Sequence, residues 1–113
     1  MAYGGANLSS AKRASATAPV CVVIRAEARE GAEEDLEALL ADFAFEVRAA
    51  ERGCTSYVVT HQLGSPRHFA AHVRFASWGS FQRHGVTPHM MRAMPRLNAL
   101  LAAPVSLEIF LEV

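Results

Sequence analysis

Cysteine is scarce in this chain. Cys21 and Cys54 are the only two; they show no C-x-x-C spacing, and each stands at the start of an apolar run. That pattern argues for two free, packed thiols and against a disulfide framework or a cysteine-built metal site. Long apolar runs are also missing. No stretch approaches the roughly 18 residues a membrane span needs. Lys12 and Arg13 are not followed by the apolar segment of a secretory signal, so a cytoplasmic protein is expected. Excess charge of one sign is absent as well: eleven basic residues balance eleven acidic ones. Without a net field there is nothing to draw a nucleic-acid backbone or an anionic membrane, and neither partner is expected. The chain has no Gly-rich dinucleotide fingerprint, no phosphate-binding loop and no zinc-like Cys/His spacing, so no cofactor and no metal are expected.

What remains is enough for one core. The 113 residues, 51% of them apolar, fit a single domain. Residues 1–18 are small and polar without a period and read as a flexible tail, leaving 19–113 as the domain. Val20 to Ala28 starts β-branched and then alternates, with Val22, Ile24 and Ala26 on one face and Val23, Arg25 and Glu27 on the other. Gly31 ends this strand. Leu36, Leu39, Leu40, Phe43, Val47 and Ala50 then recur at three- and four-residue steps behind acidic Glu33, Glu34 and Asp35, the pattern of a long amphipathic helix, which stops at Arg52-Gly53.

Two further strands are expected over Thr55–Leu63 and Arg67–Phe75. Tyr57, Val59, His61 and Leu63 share one face of the first, and Phe69, Ala71, Val73 and Phe75 share one face of the second. Gly64-Ser65-Pro66 between them is turn chemistry and predicts an antiparallel hairpin. Ser77–His84 is short and helix-compatible. Thr87-Pro88 supplies an N-cap and a first-position proline for a last helix, which carries Met90, Met91, Met94, Leu97, Leu100 and Leu101 as its apolar stripe. Pro95 is expected to kink or split it. After Pro104, Val105–Val113 alternates as a fourth strand.

The order strand, helix, strand, strand, helix, strand is the split βαβ pattern of ferredoxin-like α+β domains. Helices cover one face of such a sheet. Because strands one and four are apolar over most of their length, a second copy of the chain packed sheet to sheet is the economical cover for the other face, and a homodimer is expected.

Glu51-Arg52-Gly53-Cys54-Thr55-Ser56-Tyr57, then Ser65-Pro66-Arg67-His68-Phe69, then Phe81 to Met90 (F-Q-R-H-G-V-T-P-H-M) resemble the antibiotic biosynthesis monooxygenase family. The family shows a glycine-cysteine start to strand two, a proline-containing hairpin, and a histidine followed by a proline-histidine pair. The resemblance spans roughly Val20 to Val113. It implies a dimeric α+β barrel with one pocket per subunit between sheet and helices. It also implies oxygenation of a small phenol, anthrone or hydroquinone by dioxygen without metal or flavin. Two departures stand out. The glutamate that the family often carries in strand three is Val73 here. The haem-degrading branch's strand-one asparagine, strand-three tryptophan and helical histidine fall on Arg25, Phe75 and Ala93.

Candidate site residues follow. His84 and His89 flank the Thr87-Pro88 helix start, where a positive dipole end favours an anionic substrate and a neutral imidazole suits a general base near pH 7. His89 is the preferred base; alternatively one histidine bonds the cap region and the other is solvated. Arg25, mid-strand among apolar neighbours, must meet a carboxylate, with Glu27 as the nearest candidate, or face a wet pocket. Arg25 and Tyr57 are expected to orient the substrate or stabilise its oxyanion, and Phe75, Met90 and Met94 to hold a flat ring. His61, His68 and His72 cannot share one ion, because alternate positions four apart on a strand lie some 13 Å from each other. The rival readings are a non-catalytic small-molecule-binding or stress-related module on the same fold and a structural dimer whose interior is filled by its own side chains.

Overall fold

A computed structural model describes residues 18–113; the expected tail lies, apart from Ala18, outside the described residues. The chain runs β1 (Val20–Glu27), α1 (Glu33–Ala50), β2 (Cys54–His61), β3 (His68–Phe75), α2 (Trp78–His84), α3 (Pro88–Leu100) and β4 (Ser106–Leu111). The four strands form one antiparallel sheet in the order β2-β3-β1-β4. This is the ferredoxin-like α+β fold, with α2 as a short addition before the second crossover helix. Among the described residues no helix is long and apolar enough to cross a membrane.

Alternation decides which side chains meet the helices. Register places Tyr57 beside Val73, Val73 beside Val22 and Val22 beside Ile109; one step along, Val59, Ala71, Ile24 and Leu107 form the next row. These rows face the helices. From α1, Leu36, Leu39, Phe43, Ala44 and Val47 are buried against them, so its stripe runs through Ala44 and leaves Ala50 exposed. Phe75, Leu36, Val20, Val22 and Val47 are the largest fully buried side chains, each worth ~1.5–3 kcal/mol of transfer free energy. A second cluster of Ala26, Ala28, Leu36, Phe69 and Leu101 closes the far end of the core.

Three expectations change. First, α3 is one continuous helix from Pro88 to Leu100 with Pro95 inside it. The carbonyl that Pro95 leaves without its usual donor is that of Met91, an exposed residue, so water can satisfy it without breaking the helix. Second, the α3 stripe is only partly covered: Met91 is exposed, and Met90, Ala93 and Leu97 are half-buried. Third, the apolar side chains of β1 and β4 point mainly toward the helices. The outer sheet face instead carries the ion pairs Arg25–Glu108 and Arg74–Glu112, with Glu27 paired to Arg67 at 3.4 Å where β1 ends. The apolarity of these two strands is thus used within the subunit. What the outer face adds is Val23, half-buried, with Val58 at 52% and Phe110 at 51% exposure.

Candidate active site

A cavity of about 590 Å³ lies between the inner sheet face and the helices. Its floor is Val22, Ile24, Ala26, Phe69, Ala71, Val73 and Phe75 from the sheet; α1 contributes Leu39, Leu40 and Phe43, and α3 contributes Met90, Ala93, Met94 and Leu97. Among the described residues, no aspartate, glutamate, lysine or arginine lines it. The residues at its wall with a polar side-chain atom are Tyr57, Gln82, His84 and, through its indole, Trp78. The half-covered stripe of α3 thereby has a reason: space, not side chains, lies beneath it.

His84 is the side chain that joins this cavity to a buried polar cluster. It ends α2, and its ring packs against Phe75 at 5.2 Å, Phe43 at 5.8 Å and Tyr57 at 6.5 Å between centroids. Its Nδ1–H donates to both carboxylate oxygens of Glu51, each at 2.9 Å. Nε2 of His89 donates to the Oε2 of the same carboxylate. The side chains of His84, His89 and Glu51 are 7%, 8% and 11% exposed. A carboxylate this buried is tolerable only when its lone pairs are occupied, and two imidazole N–H groups do that. With an ionised Glu51, the arrangement assigns the Nδ1–H tautomer to His84. Its Nε2 lone pair has no hydrogen-bond partner among the described residues, and the residue lines the cavity. A carboxylate that fixes an imidazole's tautomer and supports its positive charge is the orienting device of hydrolytic triads.

Local sequence builds this cluster in steps. Glu51 caps α1, its backbone N–H donating to the Val47 carbonyl. Gly53 follows at the close approach of this segment to α2: a Cβ there would lie 2.5 Å from the Ser80 Cβ and 2.3 Å from its Oγ. Ser80 and His84 are one helical turn apart on the same face of α2. The missing side chain at Gly53 lets that face settle, and His84 then reaches Glu51. Ser77 caps α2 by accepting from Ser80 N–H, and Thr87 caps α3 by accepting from Met90 N–H while donating to the His84 carbonyl at 3.1 Å. The two caps fix the turn that sets His84 and His89 on either side of one carboxylate.

The candidate residues sort as follows. Tyr57, Phe75, Met90, Met94 and His84 all line the one cavity. Burial pushes the Tyr57 phenol well above its ordinary value, so it stays a hydrogen-bond donor. His89, preferred as the base, does not line the cavity; it stands behind His84, and the anion it meets at the helix start is the protein's own Glu51. Arg25 is on the opposite face of the sheet from Tyr57, 59% exposed and paired with Glu108 of β4 rather than with Glu27. It borders a separate hollow of about 400 Å³ with Glu27, Thr60 and His68. Sequence reasoning missed Glu51. A signal was there: a carboxylate at a helix C-terminus opposes the dipole and calls for a compensating partner. Glu51, His84 and His89 also each offer one ligand atom within 4.8 Å of the others, so among the described residues they form a set that could hold a metal ion.

The structure is thus a ferredoxin-like α+β domain with an apolar cavity and one oriented imidazole at its wall. The chain belongs to the antibiotic biosynthesis monooxygenase family, whose sequence model matches residues 19–96. A Mycobacterium tuberculosis protein of known structure is 27% identical, with 84% of this chain and 95% of that one covered and a TM-score of 0.77. A Caulobacter crescentus structure described as a putative antibiotic biosynthesis monooxygenase is 22% identical over 86% of this chain and 92% of that one, with a TM-score of 0.81. A Pseudomonas aeruginosa protein is similar at 24% identity, 85% and 95% coverage and a TM-score of 0.77. No curated protein matches the chain in sequence.

Proposed function

We propose that this protein is a cofactor-independent monooxygenase that oxidises a small aromatic phenol, anthrone or hydroquinone with dioxygen, and that His84 is its base. The observation that carries this reading is the His84 ring, held at Nδ1 by Glu51, with no hydrogen bond at Nε2 among the described residues, at the wall of a cavity that no charged side chain of those residues lines. Nε2 takes the acidic proton of the substrate, and Glu51 supports the imidazolium that forms. The substrate anion, unsolvated among Phe75, Met90 and Met94, is a stronger reductant than it is in water. Protonated Tyr57 donates to the developing oxyanion. Electrons balance without a cofactor: a methylene flanked by aromatic rings gives a carbonyl and water with one dioxygen, and a hydroquinone gives a hydroxyquinone and water. In each case the substrate supplies all four electrons.

Oxygen uptake by metal-stripped, flavin-free protein with a panel of anthrones and hydroquinones tests the reading. The expected outcome is turnover that falls about 10²–10⁴-fold in His84→Ala, falls also in Glu51→Gln, and is unchanged in Arg25→Ala. Saturable ligand binding without turnover across the panel would instead make the protein a binding module. We also propose that it acts as a homodimer in which a second copy covers the outer sheet face around Val23, Val58 and Phe110.

A further inference from the structure

The Glu51–His84–His89 cluster uses the second ring nitrogen of His84, the one the proposed chemistry does not. We infer that Glu51, His84 and His89 form a site for a divalent transition-metal ion, and that filling it switches the base off. Two imidazole nitrogens and one carboxylate oxygen are the donor set that zinc and its neighbours prefer over magnesium or calcium. The three donors come from three separate places in the fold: the end of α1, the end of α2 and the start of α3. They converge in a pocket of low exposure, so the ion would meet preformed ligands already stripped of most of their water.

The spacing fits a small adjustment. The ligand atoms lie within 4.8 Å of one another, and the His84 Nδ1 to Glu51 contacts are 2.9 Å. Donors about 2.0–2.2 Å from a tetrahedral zinc ion are ~3.3 Å from each other, so the widest pair has at most about 1.5 Å to close, shared between two side chains, while the His84–Glu51 contacts open slightly. The fourth position would be filled by water.

The consequence for the base follows from imidazole chemistry. A neutral ring has one lone pair and one N–H. While Glu51 accepts from Nδ1–H, the lone pair is on Nε2. Once Nδ1 binds a metal, the ring proton resides on Nε2, and His84 presents a donor where the reaction needs an acceptor. Its effect on turnover rests on the assignment of His84 as the base; the ion site itself stands on the three-ligand geometry alone.

The experiment is calorimetric titration of tag-free, metal-stripped protein with Zn²⁺, with Mg²⁺ and Ca²⁺ as controls, alongside ring ¹⁵N spectra that report which nitrogen of each histidine is protonated. The expected result is one-to-one Zn²⁺ uptake with no Mg²⁺ or Ca²⁺ uptake. Affinity should fall at least about tenfold in Glu51→Gln and in His89→Gln, each shown by circular dichroism to be folded. The His84 proton should pass from Nδ1 to Nε2, and oxygen uptake should be lost on zinc addition and restored by a chelator. No saturable uptake, or uptake equally tight in both variants, overturns the site. Uptake at the site with unchanged turnover overturns the switch. If no substrate is turned over by any form of the protein, the calorimetry and the ring spectra still decide the site, while the oxygenase reading fails separately.

Discussion

Individual side chains divide here by whether strand alternation alone could place them. Tyr57, Phe75 and the inner-face residues of β1 and β3 were assignable to one surface from their spacing, because side chains along a strand alternate between two faces. Arg25 was equally assignable to the opposite face from Val22 and Ile24. Strand pairing, which puts Tyr57 and Val22 in one row through Val73, then separates Arg25 from Tyr57 in any single site. Glu51 could not be found that way, since its partners are 33 and 38 residues away in the chain and only packing of α2 and α3 brings them together. Tyr57 carries a prediction at this scale. Its phenol ionises less readily in the folded protein than in the unfolded chain. A group whose folded value is raised contributes stability in full below its unfolded value, about pH 10 for tyrosine, and that contribution fades as pH climbs beyond it. Thermal melts from pH 8 to 11 should therefore show the wild type losing stability above about pH 10, where Tyr57→Phe loses less. Parallel curves for the two proteins would refute this.

The elements were largely legible because their periods differ. Alternation marked β1, β3 and β4, and the three- and four-residue stripe marked α1. The limits came where an element's environment, not its period, decides the outcome. Pro95 was expected to interrupt α3, yet the carbonyl it frees belongs to an exposed residue and the helix continues. The α3 stripe was expected to be core, yet much of it roofs a cavity. The contact between Gly53 and α2 is likewise invisible in the chain, where the glycine reads simply as a helix terminator. Gly53→Ala should press a methyl group into Ser80 and cost about 1–3 kcal/mol in urea denaturation, with oxygen uptake reduced because α2 carries His84. Adding Ser80→Gly removes the atoms in the way and should restore most of the lost stability. A Gly53→Ala protein as stable as the wild type would show that the α2 packing does not depend on that gap.

For the molecule as a whole, assembly turns on the outer sheet face. Val58 and Phe110 are about half exposed on a surface that also carries the Arg25–Glu108 and Arg74–Glu112 ion pairs, and the proposed dimer buries them. Light scattering should give twice the chain mass for the wild type and the chain mass for the double variant Val58→Glu, Phe110→Glu, with unchanged far-ultraviolet dichroism in both; a monomeric wild type would remove the dimer. By itself the sequence determined the α+β class, the order of strands and helices, the family resemblance, and which strand residues share a face. These follow from local periods, from turn chemistry and from short motifs that any stretch of chain displays. Only the tertiary structure decided that His84 rather than His89 meets the cavity, that Arg25 does not, that Glu51 holds both histidines, and that space remains under α3. Those depend on how helices seat against a sheet, where the absence of one side chain at Gly53 and the angle of one turn at Thr87 determine which distant groups come within hydrogen-bonding distance.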